Sequence, residues 1–173
     1  SIFISILSYL IFFVPKFNYI KIRIFSFFDS SSRNNFQSEK ATEAIIDGGF
    51  FGKGIGEGTL NSKIPEAHTD YIISVISEEF GIIIIFLIML SLIFFAYHIF
   101  KKIKDTNNNV FKMILIGSIF LILMQAFVHV GVNLKVLPTT GMTLPFLSYG
   151  GSSIISISII SGILLNLTKR RVY

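Results

Sequence analysis

The chain has 173 residues, 52% hydrophobic and only 14% charged, with a formal net charge of +5. Soluble domains carry about 25% charged residues, so the composition argues against an ordinary soluble protein and for a membrane one. Cysteine is absent, which excludes disulfides and thiolate metal sites, and tryptophan is absent too, so any interfacial aromatic belt rests on Tyr and Phe.

Four apolar segments follow in chain order. The first, Ser1 to Val14, is uncharged but short of the roughly 20 residues of a helical crossing. It is not expected to be a signal peptide, since it opens on no charged start. The expectation is the C-terminal part of a longer membrane protein, with 1–24 a partial span and its exit. Residues 25–69 form a connection too long for a hairpin, and long loops are usually functional or disordered. Phe25, Phe27, Phe28, Phe36, Ile45, Ile46, Phe50 and Phe51 argue against disorder here. Gln37 to Asp47 is predicted to be a short surface helix, and Asp29-Ser30-Ser31-Ser32 a turn. Transmembrane helices are predicted over 70–100, 113–132 and 143–168.

Charge orients these spans. Residues 101–112 carry four basic groups against one acid, net +3, and the tail Lys169-Arg170-Arg171 is also +3. Two spans separate them, so they share a side. The positive-inside rule makes 101–112 and 169–173 cytoplasmic. Residues 25–69 and the connection from Asn133 to Met142 are then extracytoplasmic. From Lys16 to Glu79 the net charge is −2. The positive excess thus sits in a short inner loop and a tail, and it requires no nucleic acid.

The segment from Gly48 to Gly58 is glycine-rich. A phosphate-binding loop needs Ser or Thr after its Lys and a buried strand before it; here Gly54 follows Lys53. The stretch reads either as a flexible surface turn or as a mobile wall offering bare N–H groups to an anion. Next comes Ile64-Pro65-Glu66-Ala67-His68-Thr69-Asp70. Pro65 suits the first position of a helix. Glu66 then falls in the first turn and shares a face with Asp70, four residues on, while His68 points elsewhere. A carboxylate at a membrane edge is partly desolvated, which raises its pKa and suits a general base. Spacing alone, however, favours a helix start decorated with solvated acids.

Further along, His98 reads as an interfacial anchor. Gln125 and His129 lie four apart in the third span. They suit a hydrogen bond between spans more than a cavity lining. Pro138 to Phe146 is a Pro/Gly turn. Gly150-Gly151 and Ser152-Ser153 suit close helix packing on composition, and also an unwound segment beside a polar cavity. No zinc spacing and no Gly-x-Ser-x-Gly element is present.

Taken in order, Gly48 to Gly58, Pro65 to Asp70 and Leu144 to Ser153 resemble the SEDS family (shape, elongation, division and sporulation) of polytopic peptidoglycan glycosyltransferases. The resemblance runs from about Phe25 to Arg171. Glu57-Gly58, Ala67 before His68, and Thr143-Leu144-Pro145 look more like its cell-division than its elongation members. It implies an all-α polytopic membrane helix bundle with a large extracytoplasmic loop, this chain holding the last four spans. It implies polymerisation of lipid II, a disaccharide-pentapeptide on undecaprenyl diphosphate, during septal wall synthesis at the bacterial inner (cytoplasmic) membrane. The implied partners are a class B penicillin-binding protein transpeptidase, other divisome proteins and membrane lipid.

Residue by residue, the family's essential loop aspartate falls on Asp70, as the catalytic base. Glu66, His68, Thr69, Lys53, Lys63, Lys135, Thr140, Ser148, Gly150, Gly151 and Ser152 become the substrate-binding set. The family commonly has Lys where Thr140 stands. The diphosphate would then fall to Lys135, Lys63, another residue or a divalent cation, Mg or Mn; no other cofactor is expected. Two further readings stay open. One is a lipid II flippase, whose polar residues should continue across the bilayer. The other is a non-catalytic scaffold that activates a penicillin-binding protein.

Overall fold

The computed structural model describes residues 18, 22, 25, 33–64 and 66–169. The first apolar segment, the turn expected over 29–32, Pro65 and the tail from Arg170 lie outside the described residues. Among the described residues the structure is helical and without strands: α1 Arg33–Gly48, α2 Leu60–Lys63, α3 Ile72–Phe80, α4 Ile82–Lys104, α5 Asn109–Asn133 and α6 Gly151–Thr168. The helices α4, α5 and α6 are long and apolar enough to cross a membrane. The fold is the expected all-α polytopic bundle, and the surface helix expected over Gln37–Asp47 is α1.

The run expected as one span over 70–100 is two helices. Gly81, at φ 81° and ψ 171°, divides α3 from α4. A helix end leaves carbonyls unpaired and the next helix start leaves N–H groups unpaired. The glycine-rich loop supplies the missing partners. Lys53 N donates to the Glu78 carbonyl (2.8 Å), Gly54 N to the Glu79 carbonyl (3.0 Å), and Ile82 N to the Gly49 carbonyl (3.0 Å). The approach is so close that a Cβ on Gly81 would lie 2.1 Å from the Phe50 carbonyl oxygen, and one on Gly52 2.1 Å from that of Glu79. Glycine is needed at both positions, since each also has positive φ. The loop is therefore a clamp on the junction, with the Lys53 and Gly54 N–H groups spent on α3.

The span expected over 143–168 starts late, at Gly151. Pro145 disfavours a helical conformation before it, and Phe146 takes φ 67°. The helix expected over 113–132 starts early, at Asn109, because the Asn108 side chain caps it by accepting from Val110 N at 2.9 Å.

Three clusters hold these elements. Ala41 and Ala44 of α1, Leu60, Ile64, Ala67, Tyr71 and Val75 pack against Val132 at the end of α5. Ala96, Ile99 and Ile103 of α4 pack with Leu115, Ile119 and Ile122 of α5 and with Ile157 and Leu164 of α6. Ile73, Leu92, Ala126 and Leu144 form the third. The outward faces of the spans, including Phe86, Ile93, Phe127 and Leu165, stay exposed and apolar. That is the pattern of helices whose outer solvent is lipid tail.

Candidate functional site

The site is built on one face of α5. Gln125, His129 and Asn133 recur every four residues and so form a single polar row. Asn133 is fully buried. Its Nδ2 donates to the Asp70 carbonyl at 2.9 Å and the His129 carbonyl at 2.8 Å. Its Oδ1 accepts from Ser74 Oγ at 2.8 Å and Ser74 N at 3.3 Å. His129 Nδ1 donates to the Met142 carbonyl at 2.8 Å, and its buried Nε2 finds no partner among the described residues. Gln125 Nε2 donates to the Thr143 carbonyl at 2.8 Å and to Ser153 Oγ at 3.3 Å. The row thus fixes the start of α3 and the turn before α6 to the same helix. The third member, Asn133, is legible in the sequence by its spacing alone.

The acidic segment and that turn are also bolted to each other. Tyr149 N donates to the His68 carbonyl at 3.1 Å. Ser148 Oγ donates to the Thr69 carbonyl at 2.8 Å and accepts from Leu144 N at 2.7 Å. Between them lies a polar cavity of about 430 Å³ lined by Gln37, Glu66, Thr69, Asp70, Tyr71, Thr139 and Gly141. Residues 66–70 are turns and not the regular helix expected. Even so, Asp70 N bonds the Glu66 carbonyl at 3.1 Å, and both residues reach the one cavity. A Cβ on Gly141 would lie 3.7 Å from Asp70 Oδ2, so the carboxylate faces bare backbone there. Tyr71 is buried, and its hydroxyl is 3.3 Å from Ser38 Oγ. Burial, with added push from the charges of Asp70 and Glu66, raises the phenol above its usual range. It stays a neutral wall.

Of the residues expected to bind substrate, only Glu66 and Thr69 line this cavity beside Asp70. Thr140 is exposed between two lining residues. His68 is exposed and joins through its backbone alone. The three lysines are tied elsewhere. Lys53 pairs with Asp47 at 3.1 Å and Glu78 at 3.3 Å, and Lys135 with Glu39 at 2.7 Å. Lys63 Nζ donates to Thr59 Oγ1 at 2.8 Å. Ser148 is buried and serves as the bolt already described. Gly150 is the extended cap of α6, and Gly151 and Ser152 are exposed in its first turn. Gln37, Tyr71, Thr139 and Gly141 are cavity residues outside the set expected from the sequence, the last two flanking the expected Thr140. Gln37 comes from α1, and nothing in its surroundings in the sequence marks it.

Glu78 is a second residue without a sequence signal. It is 1% exposed, and its carboxylate accepts from Thr59 N at 3.0 Å, Thr59 Oγ1 at 3.1 Å and Leu60 N at 3.0 Å. Burial pushes its pKa up most strongly, but these donors and Lys53 together outweigh it, leaving the carboxyl below its ordinary value. A depressed carboxyl stabilises fully above the unfolded pKa and loses that contribution as pH falls through the native one. Acidification below the usual carboxylate range should therefore speed cleavage of residues 49–59 by an acid-active protease. Glu78→Gln puts an amide against amide donors and should cost about 2 kcal/mol. Cleavage of that variant should be fast at every pH; protection equal to wild type would remove Glu78 from this role.

Among the described residues no group of three or more His, Cys, Asp or Glu is arranged to hold a metal. The cavity wall does carry two carboxylates, Glu66 and Asp70.

The family of FtsW/RodA/SpoVE cell cycle proteins matches over residues 1–173. A probable peptidoglycan glycosyltransferase FtsW of Caulobacter vibrioides is 37% identical over 157 residues, 90% of this chain and 40% of that protein. The protein of the same description from Enterococcus hirae is 39% identical over 138 residues, 79% of this chain and 35% of the relative. The one from Bacillus subtilis is 36% identical over 129 residues, 72% and 31%. The chain thus spans well under half of these relatives. A solved chain from a peptidoglycan synthase complex, studied for how it coordinates polymerization and crosslinking, shares the fold. Its TM-score is 0.67 at 24% identity, over 96% of this chain and 47% of that one.

Proposed function

Because this chain belongs to the FtsW/RodA/SpoVE family of cell cycle proteins, we propose that the full-length protein is a peptidoglycan glycosyltransferase that polymerises lipid II, with Asp70 as its base. The observation that carries this reading is Asp70 itself. It is a carboxylate on the wall of a polar cavity, its backbone held by the buried Asn133 at the end of a span. Lipid II places its tail in the bilayer and its sugars in water, so its chemistry belongs at such a boundary.

In the proposed step the acceptor sugar's 4-hydroxyl gives its proton to the Asp70 carboxylate. Its oxygen bonds to the anomeric carbon of the donor, and the bond from that carbon to the diphosphate oxygen breaks. Undecaprenyl diphosphate leaves with the electron pair, and Asp70 passes the proton to water. Glu66, beside it, tunes or positions the reacting groups. Two carboxylates suit Mg²⁺ or Mn²⁺ held largely through diphosphate oxygens and water, and such an ion would neutralise the leaving charge. The reading includes the division septum of the inner membrane as location, and a class B penicillin-binding protein with other divisome proteins as partners. The polar row on α5 runs from Gln125 to Asn133, eight rises of about 1.5 Å or about 12 Å. It is spent on loop backbone and the start of α3, which favours catalysis at one face over a flippase path across the bilayer. Polymer formation from labelled lipid II by the full-length protein tests the reading. Transport without polymer would replace it with the flippase, and neither activity with the scaffold.

The proposed topology puts Lys101–Lys112 in the cytoplasm and Glu66 and Asp70 outside. In intact cells, Ser62→Cys should react with an impermeant thiol reagent and Asn107→Cys should not; both positions are exposed. The reverse pattern would invert the topology.

Thr140→Lys should preserve or raise polymerase activity. The side chain starts between two cavity-lining residues, and a new cation beside a diphosphate is worth about 1.5–3 kcal/mol as a charge-assisted hydrogen bond. A severe loss in the lipid II assay would show that this turn does not face the leaving group.

A further inference from the structure

At the opposite, basic end of the bundle a second cleft opens between α4 and the end of α6. Its volume is about 310 Å³, and it is lined by Phe94, Phe95, His98, Ile99, Lys102 and Thr168. Two features occur together there. The walls are mostly hydrocarbon: Phe94 is exposed, Ile99 forms the floor as a buried core residue, and the His98 ring packs 4.9 Å from that of Phe94. The rim is cationic. Lys102 lines it, with Lys101 and Lys104 beside it in the last turn of α4 but outside the cleft. The acid nearest in sequence is Asp105, and Lys102 enters none of the ion pairs among the described residues.

An apolar slot that ends at Lys102, which no carboxylate pairs among the described residues, where spans leave the hydrocarbon, matches a molecule with an acyl chain and an anionic head. We propose that this cleft binds an anionic phospholipid, its phosphate against Lys102 and its acyl chain along Phe94, Phe95 and Ile99. The apolar walls disfavour a free phosphate, which gains nothing from them. The cleft lies at the far end of α4 and α5 from Asp70, and the inference does not depend on the catalytic reading.

The test is native mass spectrometry of the full-length protein in detergent, titrated with phosphatidylglycerol or phosphatidylcholine. Phosphatidylglycerol should bind in preference. Lys102→Gln should weaken that binding about fivefold, the worth of about one lysine near an anionic surface. Lys102→Arg should retain it. Lys104→Gln removes the same charge from an exposed position outside the cleft, and should stay within about twofold of wild type. Unchanged phosphatidylcholine adducts would show that each variant is folded. Equal losses for Lys102→Gln and Lys104→Gln would mean diffuse attraction and overturn the site. No loss for Lys102→Gln would mean that the lipid phosphate does not sit against Lys102 and would overturn the proposal. Displacement of the lipid by inorganic phosphate alone would reduce the site to one for a free anion and overturn the proposal as well.

Discussion

Asp70→Asn in the full-length protein is expected to abolish glycan polymerisation from lipid II while leaving membrane level and thermal unfolding unchanged. Asparagine keeps the size and hydrogen bonding of the side chain but cannot take the hydroxyl proton. Loss of a general base costs about 10²–10⁴-fold in rate. The structure makes the folding control informative. Asp70 is anchored through its carbonyl by Asn133 Nδ2 and through its N–H by the Glu66 carbonyl, and the substitution keeps both bonds. Glu66→Gln should cost less, because Glu66 shares the cavity wall but carries no proton in the proposed step. Polymer yields within a few-fold of wild type for Asp70→Asn would remove it as the base. A normal rate with lost membrane level would instead mark Asp70 as structural.

Gly81→Ala is expected to be strongly destabilising, as is Gly52→Ala, whose Cβ meets backbone just as closely. Alanine at φ 81° and ψ 171°, a region essentially reserved for glycine, costs about 1–2 kcal/mol before any contact is counted. Its Cβ would meet the Phe50 carbonyl oxygen at 2.1 Å, backbone against backbone. Relief requires the loop to move off the junction, which breaks the bonds of Lys53 N, Gly54 N and Ile82 N. At about 1 kcal/mol net each, these bring the total loss to about 4–5 kcal/mol. Thermal unfolding of the full-length protein in detergent, followed by circular dichroism, measures it. Gly117→Ala is the control, since a Cβ there meets nothing within 4 Å. If the two variants unfold at the same temperature, the loop is not the clamp described.

Much of this protein is local and therefore legible in one dimension. Apolar runs long enough to cross a bilayer identify α4, α5 and α6, because length and hydropathy alone decide whether a helix can span. The Gln37–Asp47 helix and the cluster ending at Asp70 are legible for the same reason, as composition and short spacing. The ordered motifs lead to the family that matches the whole chain.

What the sequence leaves open is set by partners far away along the chain. Nothing near Gly81 announces a helix break, since the carbonyl that forbids a side chain there belongs to Phe50. Glu78 looks like one of two acids at the start of a span, and becomes a buried anchor only when Thr59 and Leu60 arrive with their N–H groups. Lys53, Lys63 and Lys135 look equally suited to a diphosphate until Glu78, Thr59 and Glu39 claim them. Gln37 and Asp70 share a cavity because α1 packs on α3, and Asn133 reaches Asp70 across 63 positions. A buried polar group must find a partner or bear the cost of desolvation. Residue type states that demand, and only the tertiary structure decides which distant group meets it.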